Sequence, residues 1–168
     1  MKAGPRYHVK TRRHRDGRTD YRRRLHLLKS KKIRIVVRKS LKNIYVQFVE
    51  YNSKGDKIII SVSSSELIKN YNWNYSISTT PAAYLTGLIA GKKAKDAGIN
   101  EGIFDIGRYR PTTGNKLFAT LKGITDAGVI CPHSEDMIPN EDRVLGKHLD
   151  DKIAPTVENI KSKIIGGK

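Results

Sequence analysis

The apolar positions change period along the chain, and each change marks an element. From Thr19 the spacing is helical, with Tyr21, Leu25 and Leu28 at i, i+4 and i+7, Thr19 placed to cap the helix, and Arg22, Arg23 and Lys29 largely outside the stripe. This helix is expected to dock an N-terminal arm onto the domain. The spacing then shortens to two. Ile33 to Arg38 and Ile44 to Tyr51 alternate as strands around the connection Lys39-Ser40-Leu41-Lys42-Asn43. A third strand, Lys57 to Val62, follows the turn Asn52-Ser53-Lys54-Gly55-Asp56, so a three-stranded antiparallel meander is predicted. Alternation puts Ile33, Ile35 and Val37 on one face of the first strand and Arg34, Val36 and Arg38 on the other, while Ile44, Val46 and Phe48 oppose Tyr45, Gln47, Val49 and Tyr51 in the second. If the polar faces coincide, Arg34, Arg38, Tyr45 and Gln47 form a basic and aromatic platform. Against that, Val36, Val49 and Tyr51 read as half-covered core, with the arginines reaching only its rim.

The second half returns to a helical period. After a polar stretch containing Trp73, Thr80-Pro81 starts a helix, with Thr80 as cap and proline first, running from about Pro81 to Ala97 and stopped by Gly98. Its apolar stripe is Leu85, Leu88 and Ile89, and Ala83, Gly87, Gly91 and Ala94 form a small-residue row suited to close packing. Ile103 to Ile106 reads as a strand and Gly107 to Gly114 as a loop. A second helix follows on Leu117, Phe118, Leu121 and Ile124, ending before Gly128, and Val129 to Cys131 is a last short strand or a loop. A weaker helical pattern at Val157, Ile160 and Ile164 follows Pro155. The predicted class is α/β: the meander followed by helix, strand and helix in one layered domain, with a basic N-terminal arm and a C-terminal helical extension. Residues 1–30 are assigned to the arm, 31–130 to the core and 131–168 to the extension, and a length of 168 suits a single domain.

Charge changes the picture most. The chain carries 33 Lys and Arg against 16 Asp and Glu, a formal net charge of +17. Residues 1–42 hold 17 of the basic groups and only Asp16 and Asp20, leaving the remainder with the near-balanced charge of an ordinary folded domain. Residues 1–18 lack a hydrophobic period and are expected to be extended when free. Tyr7, His14 and Tyr21 interleave with Arg12, Arg13, Arg15, Arg18 and Arg22 to Arg24, a mixture suited to phosphates and unstacked bases. A nucleic acid is therefore favoured over a membrane surface as the partner, since no apolar helix face accompanies the charge and no run approaches the ~18 residues of a span. The N-terminus shows no secretory signal pattern, and the single cysteine excludes a disulfide framework within the chain.

Catalytic patterns are weak. Gly87 to Gly91 has three intervening residues where a phosphate loop needs four, and Lys92 is followed by another lysine. Cys131 and His133, near Glu135 and Asp136, read as a surface connection around Pro132. His8, His14, His26, His133 and His148 show no paired metal-ligand spacing on one element. Element order also suits a ribonuclease H-like metal-dependent nuclease. Such chemistry needs several converging carboxylates, one within the first strand, and Ile33 to Arg38 has none. Asp105 reads as a structural acceptor. No catalysis, cofactor, metal or small-molecule substrate is expected, and the alternatives are that nuclease or a general basic nucleic-acid binder.

Several segments resemble a known family. Gly4-Pro5-Arg6-Tyr7, Thr19-Asp20-Tyr21-Arg22-Arg23-Arg24-Leu25, Val36-Val37-Arg38-Lys39-Ser40, Gln47, Pro81-Ala82-Ala83-Tyr84-Leu85-Thr86-Gly87 with Ala90-Gly91, Asp105-Ile106-Gly107 and Pro111-Thr112-Thr113-Gly114 are similar to the ribosomal protein L-eighteen family in its archaeal and eukaryotic form. So is the run from Lys122-Gly123 through Asp126-Ala127-Gly128 to Pro132-His133, which brings the resemblance to about residues 4–150. The resemblance implies a structural constituent of the large ribosomal subunit that binds 5S rRNA and helps attach it to the large-subunit rRNA at the central protuberance, among neighbouring large-subunit proteins in the cytoplasm. The implied RNA contacts fall on Arg12, Arg13, Arg15, Arg18, Arg22, Arg23, Arg24, Arg34, Arg38, Lys39, Ser40, Lys42, Asn43, Tyr45 and Gln47. They extend to Arg108, Tyr109, Arg110 and Lys116, although Arg108 departs from the apolar residue expected after that loop's first glycine.

Overall fold

The computed structural model describes residues 4–166; the ends of the predicted arm and extension, 1–3 and 167–168, lie outside the described residues. One four-stranded sheet is built from β1 (Arg34–Lys39), β2 (Ile44–Glu50), β3 (Lys57–Ser63) and β4 (Ile103–Asp105), in the order β3-β2-β1-β4. The predicted meander is present. The sheet is nevertheless mixed, because β4 joins β1 in parallel, with Arg34 opposite Ile103 and Val36 opposite Asp105. A parallel partner needs a long crossover, and the helices between β3 and β4 supply it.

These are α3 (Ser65–Tyr71) and α4 (Thr80–Asp96). α3 falls in the stretch read as merely polar, and Trp73 just beyond it is 1 % exposed and belongs to the core. In α4 the cap position moves back one residue from the expected Thr80 to Thr79, whose hydroxyl donates to the Ser76 carbonyl, while the proline stays in the first turn. Thirteen of its 17 residues are buried, so α4 is enclosed by the sheet, by α5 (Lys116–Asp126) and by α7 (Ile153–Gly166). The small-residue row makes this possible. A methyl group on Gly87 would collide with the Thr120 carbonyl, and one on Gly123 with the Tyr84 carbonyl, so each helix presents a glycine to the other's backbone. Close approach offsets the weak helix propensity of those glycines through dense contact.

The inner sheet face contributes Ile35, Val37, Ile44, Val46, Phe48 and Val62 to the same core as Leu85, Leu88, Leu117, Leu121 and Ile124. α7 starts at Ile153, so Pro155 lies in its first turn instead of before it, where a missing N–H costs nothing. Ile153, Val157, Ile160 and Ile164 are all buried and join that core. The C-terminal helix is thus packed into the domain, with the short α6 (Glu141–Leu145) beside it and the Lys92 ammonium donating to the Ile164 carbonyl at 2.5 Å.

Candidate nucleic-acid interface

The arm is more ordered than its composition predicts, with a single turn, α1 (Arg12–Arg15), and then α2 (Tyr21–Lys29). Asp20, not Thr19, caps α2, its carboxylate accepting from the Arg22 and Arg23 backbone N–H groups at 3.0 and 3.1 Å. The bond from Arg23 N–H holds the Asp20 carboxyl below its ordinary pKa, because N–H donors favour the charged form. Thr19 instead accepts from Arg13 Nε at 2.9 Å.

The expected apolar stripe does not dock the helix. Tyr21 and Leu25 remain 39 % and 57 % exposed, and no residue of α2 is buried. Arginines hold it instead. Arg24 pairs with Asp56 at 2.9 Å, and Arg23 donates to the Gly107 carbonyl at 2.7 Å. In return the Arg108 guanidinium donates to the Gly17 carbonyl, so arm and β4 loop grip each other's backbone in both directions. Gly107 has φ +63°, and a Cβ there would sit 2.9 Å from the Arg38 guanidinium, so glycine alone suits both the turn and the approach.

Beneath this interlock lies a buried ion-pair network. Arg34 is 4 % exposed and donates to Asp105 at 3.0 Å and to Asp56. Asp105 also accepts from Arg38 at 3.1 Å and from the Gly107 backbone N–H at 2.8 Å. Both oxygens of the only carboxylate on β4 are therefore taken, as a structural acceptor requires. Among the described residues no three His, Cys, Asp or Glu side chains gather as metal ligands would. Asp56, read from sequence only as part of a turn, is the piece that ties Arg24 of the arm to Arg34 of the sheet.

The platform face consequently divides. At one end Arg34 and Val49 are buried, so Arg34 faces its carboxylates and not an open surface. At the other end Arg38, Tyr45 and Gln47 stay partly or fully accessible, with Arg38 opposite Tyr45 across the ladder and Tyr45 41 % exposed. The β1–β2 turn is closed by Ser40 and Asn43, which exchange backbone and side-chain bonds and leave Leu41 96 % exposed beside Lys42 at its tip. Lys39, Ser40 and Lys116 line one shallow cavity, and the Lys39 ammonium lies 5.6 Å from the centre of the Tyr109 ring, whose hydroxyl donates back to the Lys39 carbonyl. Arg12, Arg15 and Arg22 of the arm, and Arg110, are exposed and make no ion pair among the described residues.

The remaining chemical candidate is inert. Cys131 is 4 % exposed, and burial pushes its thiol up to about 11, away from the thiolate a nucleophile needs. His133 bonds through Nδ1 to the Cys131 carbonyl, not to the sulfur. Gly87, Gly91 and Lys92 lie inside α4, where helical backbone bonding leaves no phosphate loop.

Fold and site together define a class: a one-domain α/β protein that holds an arginine-rich arm over one corner of its sheet, with most of that corner's cationic side chains accessible. Comparison with known proteins makes the class specific. Residues 5–101 match the family described as ribosomal large subunit proteins 60S L5 and 50S L18, and the chain belongs to that family. It is 50 % identical to the large ribosomal subunit protein uL18 of Korarchaeum cryptofilum over 89 % of this chain and 76 % of the relative. It is 44 % identical to the protein of the same name from Methanothrix thermoacetophila over 99 % of this chain and all of the relative. Membership carries a structural role in the large subunit of the cytoplasmic ribosome, in association with its rRNA and proteins.

Proposed function

We propose that this chain binds 5S rRNA and helps attach it to the large-subunit rRNA at the central protuberance. The observation that carries the reading is the cationic corner, where arm, β1 and the β4 loop bring Arg13, Arg23, Arg24, Arg38 and Arg108 onto one side of the sheet. Residues 1–30 act as the RNA-binding arm, 31–130 as the platform it is fastened to, and the helices of 131–168 brace that platform. Exposed Arg12, Arg13, Arg15, Arg18 and Arg22 meet backbone phosphates. Lys39, Ser40, Lys42, Asn43 and Lys116 contact RNA at the β1–β2 turn, and Arg110 extends this from the β4 loop. Tyr45, Gln47 and Tyr109 offer ring faces and an amide edge to unpaired bases. Arg34 serves from below, by positioning Asp105 and Asp56.

Phosphate contacts give most of the affinity, so binding falls by roughly 10³–10⁵ between 50 and 200 mM salt if six to ten phosphates are met, taking duplex DNA as guide. The test compares the purified chain on 5S rRNA, a length-matched structured RNA and duplex DNA in moderate salt with magnesium, with RNA integrity checked afterwards. Preference for intact 5S rRNA supports the reading. Equal binding to all three reduces it to a general basic binder, and cut RNA replaces it with a nuclease.

A further inference from the structure

Seven arginines and only two carboxylates, those of Asp20 and Asp105, line a half-open cavity of about 130 Å³ between the arm, β1 and the β4 loop. Asp56, paired with Arg24 and Arg34 at its edge, and Asp16, 4.0 Å from Arg18, supply two more negative charges, which leaves a surplus of three positive charges around a small space. Bringing guanidinium groups together without a counterion costs free energy through mutual repulsion and desolvation. The inventory of donors shows the same imbalance. Each guanidinium carries five N–H groups, yet Arg23 and Arg108 each spend one Nη on a backbone carbonyl and Arg13 spends its Nε on Thr19.

A second, independent observation comes from Arg34, which forms part of the cavity wall. It is 4 % exposed, both its Nη atoms are engaged, and its Nε has no hydrogen-bond partner among the described residues. An unsatisfied buried donor on a charged group is costly and calls for an acceptor. A single water would answer the Nε but not the surplus charge. At a liquid share of ~30 Å³ per water the space holds about four waters, or one oxyanion of five heavy atoms. Guanidinium forks bind two oxygens of such an anion at once.

We propose that this cavity is a specific oxyanion site that takes one phosphate group and locks the arm to the sheet. The group is either a backbone phosphate of bound RNA or free inorganic phosphate. Only the first source rests on the RNA-binding reading, and the site itself does not. Occupied, the cavity joins Arg23 and Arg108, which already cross between arm and loop, to Arg34 beneath them, so the arm is held in the docked position by an ion bridging the three.

The experiment titrates inorganic phosphate into the full chain by calorimetry, with sodium chloride holding ionic strength constant, and compares Arg23→Gln, Arg108→Gln and Lys69→Gln. Arg23 and Arg108 are exposed, so their loss leaves the core packed, and unchanged far-UV circular dichroism checks this. Lys69, on the exposed surface of α3, removes the same charge away from the cavity. The expected result is one saturable site per chain, weakened about tenfold or more by either arginine change and unaltered by Lys69→Gln. Phosphate uptake that never saturates, or that is equal in all four proteins, overturns the proposal. Competition identifies the source: if phosphate lowers 5S rRNA affinity beyond the matched chloride control, and loses that effect in Arg108→Gln, a backbone phosphate occupies the same cavity. If RNA affinity holds while phosphate stays bound, free phosphate is the ligand. Failure of RNA binding with the phosphate site intact defeats the assigned partner and leaves the oxyanion site standing.

Discussion

Where α4 crosses α5, two helices touch backbone to backbone through glycines, with leucines and alanines filling the sides. Where α2 meets the sheet, no residue of the helix is buried, and arginine forks reach across to carboxylates and carbonyls. The first junction depends on shape and on apolar surface removed from water, so salt and pH barely touch it. The second depends on charge and on a few directional bonds, which salt screens and a competing polyanion can reuse. A protein that must keep its form yet yield its surface to RNA separates the two tasks in this way. The dry junction fixes the platform, and the charged one sets the position of the arm.

Removing residues 1–24 breaks the comparison most sharply. RNA affinity is expected to drop by about 10³-fold or more with the arm's phosphate contacts, while the thermal unfolding of the remainder stays cooperative. Filter binding and calorimetry read the two effects separately, and an unchanged affinity would move the site onto the sheet and loops. Next in size is Asp105→Ala, which strips Arg34 and Arg38 of their shared acceptor and leaves a buried guanidinium short of charge. Losing one partner of a buried pair costs about 3–5 kcal/mol, and denaturant unfolding should show it. The same change frees the Gly107 loop, so protease cleavage of the arm should quicken. Gly123→Ala attacks the other junction. Its methyl group meets the Tyr84 carbonyl, and the forced separation of α4 and α5 should cost about 3 kcal/mol, a fall of roughly 6–12 °C in Tm, with arm cleavage no faster in the folded protein. A loss of arm protection equal to that in Asp105→Ala would show that the two junctions are not independent.

The smallest effect is set by pH at the α2 cap. Asp20 has its pKa lowered from 3.8 in the folded chain, so its contribution is fully present above 3.8 and disappears as pH falls through the lower, folded value. Below that pH the cap protonates and α2 frays, and replacing Asp20 with alanine should produce the same fraying at neutral pH. Backbone amide exchange at Arg22 and Arg23 reads this directly, with no matching change at Leu85 or Leu121.

Local pattern made the elements legible wherever neighbours in sequence decide them. Alternation gave the buried faces of β1 and β2, and Thr80-Pro81 with the glycine row gave α4 and its close partner. The helix α3 was also readable, since Ser63 stands three residues before Glu66, whose carboxylate accepts from the Ser63 backbone N–H at 3.2 Å while the Ser63 hydroxyl accepts from the Ser65 N–H at 3.4 Å. The docking of α2 was not. Its apolar spacing pointed to Tyr21 and Leu25, whereas its grip depends on Asp56 and Gly107, 32 and 84 residues away from their arginines. The burial of Arg34 is of the same kind. A strand period places it on the outer face, but only the arrival of the β2–β3 turn and β4 determines that this part of the face is covered.

Arg34 and Asp105 stand 71 residues apart in the chain, and β4 pairs with the very first strand of the sheet. At synthesis rates of ~5–20 residues per second, the acceptor follows the guanidinium by about 4–14 seconds. Throughout that interval Arg34 and Arg38 have emerged without the carboxylate they share, and the arm can reach Asp56 but not yet the Gly107 carbonyl or Arg108. The order of translation therefore leaves the two β1 guanidiniums open to other anions until β4 takes its place, while the exposed arginines of the arm stay open before and after.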